Sequence, residues 1–167
     1  MAMALIVGKG FLLDMWLARH TPVNTDPIID NVLKHLEETY SEGKGYKTSH
    51  GIRVVGYCFG GKYALRLAAR DDVNAVAIAH GTMMAIEDFK MAKKPVTLAC
   101  AENDPMLADE LREAGVKVLQ ESNVVHEVKT YQNVPHGFSV YGNYSDSHIK
   151  SSQEQVFKQF VDFLGEH

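Results

Sequence analysis

A glycine-rich hexapeptide at residues 56–61, GYCFGG, limits what this chain can fold into more than any other stretch. Residues 52–55 precede it and are mostly apolar, with two adjacent valines, which is typical of a β-strand. Residues 62–70 follow it and are rich in alanine and leucine, which favours a helix. A strand, a sharp turn with a central nucleophilic side chain and a helix together make a nucleophile elbow. The hexapeptide therefore predicts such an elbow with Cys58 at its apex.

The apex residue of an elbow takes a strained backbone conformation. Side chains two positions before and after Cys58 would collide with the turn, and Gly56 and Gly60 remove them. At the start of the following helix, free N–H groups and the positive end of the helix dipole favour a thiolate. In the alternative interpretation, Cys58 is a small buried hydrophobic residue and the glycines mark an ordinary strand-to-helix turn.

The composition is that of a folded globular chain, with 167 residues, 46% hydrophobic and 23% charged, and we expect one domain, residues 1–167. A formal net charge of −4 gives no support for binding nucleic acid or an anionic membrane surface. Two cysteines, Cys58 and Cys100, do not make a disulfide-stapled secreted scaffold. We therefore predict separate reduced thiols in a cytoplasmic protein. Residues 1–7 are apolar but too few for a signal peptide or a membrane span.

Four apolar runs predict the strands of one sheet, at residues 52–55, 75–79, 95–101 and 124–131. The second and third runs are continuously apolar, which fits strands buried on both faces of a parallel sheet. The fourth is more polar, so we expect it at an edge. Because helical segments alternate with these runs, the fold class is predicted to be α/β, a parallel sheet with helices on both faces.

The first forty residues carry weaker signals. Residues 1–7 are interpreted as a strand, and apolar side chains between 12 and 17 recur at helical spacing. Asp26 as the N-cap and Pro27 as the first helical residue predict the start of a helix that ends at Tyr40.

End signals also predict two later helices. One runs over residues 105–114 and is closed by Gly115. The other begins at Ser151, where the sequence SSQE forms a capping box, and ends at Gly165. Phenylalanines and a valine at helical spacing predict the buried face of that last helix.

Ligand sites in parallel sheets lie at the carboxyl ends of the strands, and partners for Cys58 are expected there. Asp104 follows the third predicted strand and His136 follows the fourth. Each has a simpler interpretation, since Asp104 before Pro105 could be a helix cap and His136 a surface loop residue. The catalytic interpretation explains all three positions at once, together with their chain order of nucleophile, acid and histidine.

From about Thr21 to its end, the chain resembles the dienelactone hydrolase family (carboxymethylenebutenolidases), cysteine members of the α/β-hydrolase fold, and is most similar to eukaryotic, fungal-type members. The resemblance rests on four segments: HTP with TDP at residues 20–27, GYCFGGK at 56–62, AEND at 101–104 and PHGF at 135–138. It implies that Cys58 is the nucleophile, His136 the base and Asp104 the acid that orients it. It further implies that the backbone N–H of Phe59 is one oxyanion donor.

The chain departs from the family pattern in two places. Family members carry a further N-terminal part with the first strands of the sheet, a second oxyanion donor and a glutamate that helps activate the cysteine. The resemblance therefore implies an N-terminally truncated α/β-hydrolase-type sheet. Bacterial members also place a carboxylate-binding arginine soon after the histidine, whereas residues 138–141, FSVY, contain none.

Three further residues are candidates for the substrate pocket. Tyr57 lies in the elbow, and His80 and Met83 follow the second predicted strand. For the last two the simpler interpretation is a core or loop histidine and ordinary methionine packing. No spacing of His, Cys, Asp and Glu suggests a metal, and we predict no cofactor.

We interpret the chain as a thiol-dependent hydrolase of small-molecule esters or lactones, with a Cys58–His136–Asp104 triad. The first alternative is a weakly active or non-catalytic hydrolase-like protein that acts through binding or self-assembly. A flavodoxin-like binding module ranks third, because it would not explain the three residues together. The strand at Ile52 would be left as an apolar edge, which invites pairing with a second copy, so we expect a homodimer.

Overall fold

A computed structural model describes residues 13–40, 51–140, 142 and 144–167. The chain separates into two compact units, residues 1–49 and 50–167, and each is described here by itself. The strand predicted at residues 1–7 lies outside the described residues.

The described part of the first unit is two helical segments joined by a bend at residues 20 and 21. Residues 13–19 form α1, which agrees with the helical spacing of the apolar side chains there, and α2 spans Pro22–Tyr40. The predicted start of α2 is wrong, because Pro27 lies inside the helix. The Thr21 carbonyl instead accepts from Thr25 N–H at 2.9 Å, and Pro22 takes the first helical position, where a missing N–H costs least.

The second unit alternates strands and helices throughout. Its elements in chain order are β1 (Ile52–Tyr57), α3 (Phe59–Leu67), β2 (Val73–Ala79), α4 (Ile86–Met91), β3 (Val96–Ala101), α5 (Asp109–Glu121), β4 (His126–Tyr131) and α6 (Ser147–Glu166). All four predicted strands are present. The helix α4 was not predicted, because six residues are too few to show a helical period.

The four strands form one parallel sheet in the order β1-β2-β3-β4. One row across it pairs Val55 with Ala77, Ala77 with Thr97, and Thr97 with Glu127. The prediction that β4 is an edge strand is confirmed, and β1 is the other edge among the described strands. Because every strand points the same way, the four carboxyl ends lie along one side of the sheet.

The two faces of the sheet carry side chains of different size. On one face, bulky side chains such as Val76, Ile78 and Leu98 pack against α3, α4 and α5. On the other, alanines at 77, 79 and 99 pack against α6. This alternation confirms the prediction of helices on both faces of a parallel sheet.

Three predicted helix ends are wrong, each for a physical reason. Gly115 does not end a helix but lies inside α5, where a Cβ would come within 2.7 Å of the Phe89 ring. The last helix begins at Ser147, one turn before Ser151, because the Asp146 side chain caps it by accepting from His148 N–H at 2.8 Å. It also continues past Gly165 to Glu166.

Candidate active site

Cys58 lies between β1 and α3 with a φ angle of 49°, which is the strained apex that the hexapeptide predicts. Gly56 is required there, because a Cβ would lie 2.5 Å from the Gly60 carbonyl oxygen. The prediction for Gly60 is wrong, since a Cβ at that position would meet nothing within 4 Å. Gly61 has the second steric role instead: its Cβ would lie 2.9 Å from the Gly81 Cα.

Backbone hydrogen bonds fix Cys58 against the end of β2. Its N–H donates to the Ala79 carbonyl at 3.2 Å, and its carbonyl accepts from Thr82 N–H at 3.1 Å. The same carbonyl accepts from Gly61 N–H at 2.9 Å, which closes the turn into α3. The position of the sulfur is therefore set by the sheet as well as by the elbow.

Asp104 follows β3 and is buried, and its carboxylate makes two kinds of contact. Oδ1 accepts from Met106 N–H at 2.9 Å, and Oδ2 lies 2.8 Å from His136 Nδ1. The helix predicted from Pro105 is wrong, because a turn that returns the Leu107 N–H to the Asp104 carbonyl occupies this segment and α5 starts only at Asp109. Asp104 is thus held by a turn and not used as a helix cap.

His136 lies in the turn after β4 and contacts both other residues. Its Nδ1 is 2.8 Å from Asp104 Oδ2, and its Nε2 is 3.1 Å from Cys58 Sγ. A carboxylate only accepts hydrogen bonds, so Nδ1 carries the proton and Nε2 faces the thiol. The structure therefore brings together all three residues of the predicted triad in the geometry that proton transfer between them needs.

Phe59, Tyr57 and His80 lie next to members of this line of atoms, whereas no contact of Met83 with it is seen among the described residues. Phe59 is the first residue of α3, so its backbone N–H directly follows Cys58. Tyr57 ends β1 and its ring is 6.0 Å from that of His80, which in turn lies 5.1 Å from the His136 ring. Met83 is partly exposed, and its carbonyl accepts from Lys62 Nζ at 2.9 Å.

A buried ion cluster beside the elbow was not predicted. Asp88 accepts from Lys62 Nζ at 2.8 Å, from Arg66 Nη1 at 2.9 Å and from the Ala85 N–H at 2.8 Å. It joins α3 to the segment 80–85 that borders Cys58. The only sequence signal was the i,i+4 spacing of Lys62 and Arg66, which does not reveal an acidic partner more than twenty residues later.

The second cysteine, Cys100, lies buried in β3, and burial raises the pKa of its thiol to about 11. Within the described residues, no three His, Cys, Asp or Glu side chains come together as a metal site. In that same part of the chain, each helix is too short or too polar to cross a bilayer.

The sheet with its elbow defines an α/β-hydrolase-type fold. A solved acylaminoacyl peptidase from Pyrococcus horikoshii superimposes with a TM-score of 0.62 at 14% identity, over 81% of this chain and 27% of that one. The class of protein is thus an α/β-hydrolase-like chain.

The model of the dienelactone hydrolase family matches residues 13–167, and the chain belongs to that family. It is 29% identical over 148 residues to hydrolase tropI of Talaromyces stipitatus, covering 89% of this chain and 56% of that protein. It is 25% identical over 155 residues to dienlactone hydrolase 1 of Gibberella moniliformis, covering 92% of this chain and 58% of that protein. The chain therefore spans less than two thirds of the length of these relatives.

Proposed function

We propose that this chain hydrolyses carboxylic esters or lactones through a Cys58 thiolate, with His136 as the base and Asp104 as the residue that orients it. The observation that carries the proposal is the unbroken line of contacts from Cys58 Sγ to His136 Nε2 at 3.1 Å and from His136 Nδ1 to Asp104 at 2.8 Å. Membership of the dienelactone hydrolase family supports the ester or lactone class of substrate.

In the first half of the reaction, His136 Nε2 takes the proton of the Cys58 thiol. The thiolate attacks the carbonyl carbon of the substrate. The π electrons of the C=O bond move to its oxygen and give a tetrahedral oxyanion. In this proposal the backbone N–H of Phe59, the first residue of α3, donates to that oxyanion. The intermediate collapses when the C–O bond to the leaving alkoxide breaks, His136 returns the proton to that oxygen, and an acyl-cysteine remains.

In the second half, water replaces the alcohol. His136 Nε2 takes one proton from the water while its oxygen attacks the acyl-cysteine carbonyl. The C–S bond then breaks, the thiolate is reprotonated by His136, and the carboxylic acid leaves. Asp104 stabilises the imidazolium in both halves and holds the tautomer with Nε2 facing the sulfur.

A second candidate function is binding or self-assembly without turnover. The specific observation in its favour is β1, an edge of the sheet among the described strands whose Val55 and Tyr57 side chains are 45% and 41% exposed. Exposed apolar side chains on an edge strand are typical of a surface that another chain covers.

The experiment is hydrolysis of p-nitrophenyl acetate by the purified chain and three variants. Cys58→Ser and His136→Ala are expected to fall to the background rate, because the nucleophile and its base are lost. Asp104→Asn is expected to lower kcat by about 10³- to 10⁴-fold, because the histidine loses its orienting carboxylate. Wild-type hydrolysis by Cys58→Ser contradicts the mechanism, and an inactive wild type favours the binding alternative.

The chain offers its own control in Cys100. With iodoacetamide at pH 7, Cys58 is expected to alkylate at least about 100-fold faster than Cys100, whose high pKa leaves almost no thiolate. Mass spectrometry of the two cysteine peptides over time measures both rates in one sample. Cys100→Ala should leave the hydrolysis unchanged. Equal alkylation of the two cysteines in the folded protein would count against an activated Cys58.

A further inference from the structure

His80 lies buried at the carboxyl end of β2, on the same side of the sheet as Cys58 and His136. Its side chain is 1% exposed, and its backbone N–H donates to the Ala99 carbonyl at 2.8 Å. Its φ angle of 36° is one that few residues other than glycine adopt. The turn out of β2 thus holds this ring in one place.

The ring of His80 is surrounded by other aromatic rings. The His136 ring lies 5.1 Å away at an interplanar angle of 71°, an edge-to-face contact. The Phe138 ring lies 6.0 Å away at 65°, and the Tyr57 ring at the same distance is tilted by 38°. His80 therefore packs His136 against aromatic side chains that the sheet itself positions.

Among the described residues, neither ring nitrogen of His80 has a hydrogen-bond partner, although both are buried. Within this part of the chain, the contacts of the side chain are those of its ring. Burial, and after it the charge of His136, lower the pKa of His80 to about 4, while Asp104 acts in the opposite direction. The ring is uncharged at neutral pH, so it does not repel an imidazolium at His136.

The two hydrogen-bond contacts of His136 leave one motion of its ring unrestrained. These contacts hold Nδ1 and Nε2, the two nitrogens that flank Cε1. The rest of the ring can still tilt about the line that joins the two nitrogens. A rigid contact from the side restrains this tilt, and the His80 ring makes such a contact.

We propose that His80 is a positioning residue of this site, a neutral aromatic wall that holds the His136 ring in line between Asp104 and Cys58. The proposal rests on the proposed function, in which that line transfers the proton. The flat aromatic ring of His80 positions His136, and its nitrogens have no part in this. A phenylalanine at this position should therefore serve the site as well as the histidine does.

The test compares His80→Phe with His80→Ala in the hydrolysis of p-nitrophenyl acetate. His80→Ala is expected to lower kcat by about 10- to 100-fold, because small misplacements of a catalytic group cost this much. KM should change less than about twofold, since the proposal gives His80 a positioning role and no contact with the ester. His80→Phe is expected to keep kcat within about threefold of wild type. Alkylation of Cys58 by iodoacetamide at pH 7 should follow the same order.

Val76→Ala is the matched control, since Val76 is equally buried in β2 but faces the opposite side of the sheet. It should lower the unfolding temperature without lowering kcat, which separates positioning from loss of stability. If circular dichroism shows that His80→Phe does not fold, His80→Leu takes its place as the filled variant and should exceed His80→Ala in kcat.

Two results would overturn the proposal while leaving the proposed function intact: a folded His80→Ala with wild-type kcat, or a folded His80→Phe as impaired as His80→Ala. A wild type that neither hydrolyses the ester nor alkylates faster at Cys58 than at Cys100 defeats both. Failure of the proposed function is thus distinguishable from failure of the His80 proposal, because only the former appears in the wild-type chain.

Discussion

The candidate nucleophile and two residues of the segment that follows β2 have backbone angles that only glycine adopts without strain. Their φ angles are 49° for Cys58, 36° for His80 and 56° for Met83, and each costs on the order of 1–3 kcal/mol. Neighbouring contacts hold them, among them the bond from Lys62 Nζ to the Met83 carbonyl. Such a concentration of strain beside one cysteine is typical of a functional site.

His80 predicts how the stability of the fold depends on pH. Its pKa is about 4 in the folded chain against 6.5 in an unfolded one, and the charged groups that act on it are His136 and Asp104. Between these values the unfolded chain binds the extra proton. The contribution of His80 to the free energy of unfolding is therefore fully present above about pH 6.5. It decreases by on the order of 3 kcal/mol as the pH drops to 4.

Urea denaturation at pH 7.5 and pH 4 measures this loss. In His80→Phe the loss should be smaller by most of that amount, because the group that takes the proton is absent. The matched control is His35→Gln, which removes an exposed histidine and should leave the loss unchanged. The same loss in His80→Phe as in wild type would show that other groups cause it.

The residues of the candidate site differ in how far the sequence predicts them. Cys58, Asp104 and His136 were predictable because each follows a strand, and parallel strands bring such residues together. That Asp88 binds Lys62 and Arg66 was not, because it depends on how α4 packs against α3. The surroundings of His80 were not predictable either, because they consist of rings from β1 and from the segment after β4.

At the scale of the elements, close contacts between helices decide what each position tolerates. Gly115→Ala should gain about 1 kcal/mol in helix propensity but lose more by collision, since its Cβ would lie 2.7 Å from three atoms of the Phe89 ring. We expect a net loss of about 1–3 kcal/mol in the free energy of unfolding, measured by urea denaturation.

The control for this variant is Gly165→Ala in α6, where a Cβ would meet nothing within 4 Å. That change should be neutral or stabilising. In the double variant Gly115→Ala with Phe89→Leu, the cost of the alanine should shrink, because the two sites are in contact. A stabilising Gly115→Ala would mean that α4 and α5 do not approach this closely.

The existence of the strands and most helices was predictable, whereas helix ends were not. A glycine after an apolar stripe normally ends a helix. Gly115 instead lies inside α5, where the absence of a side chain leaves room for the Phe89 ring. Likewise Asp146 caps α6 before Ser151 can. Both outcomes depend on competing local signals or on tertiary contacts that a sequence window does not contain.

At the scale of the whole molecule, the exposed side chains of β1 predict a homodimer. Val55 and Tyr57 are about half exposed on a strand that, among the described strands, pairs only with β2. A two-fold partner that covers this face would bury on the order of 2,000 Å². Light scattering at micromolar concentration should give twice the chain mass of 18.6 kDa.

Val55→Lys tests where the interface lies. A charge there should shift the mass toward a single chain, whereas the same change at the equally exposed Val161 of α6 should not. A wild-type mass of 18.6 kDa would refute the dimer.

The parallel sheet also bears on the order in which the contacts of the candidate site form during folding. Cys58, His80, Asp104 and His136 follow four successive strands, and Cys58 meets a histidine 78 residues later. Such a distant contact closes late, because the entropy of a long loop must be overcome before the contact forms. We therefore expect that, during refolding, the Cys58 thiol gains its contact with His136 only when β4 docks. The reactivity of the Cys58 thiol therefore reports when the fold is complete.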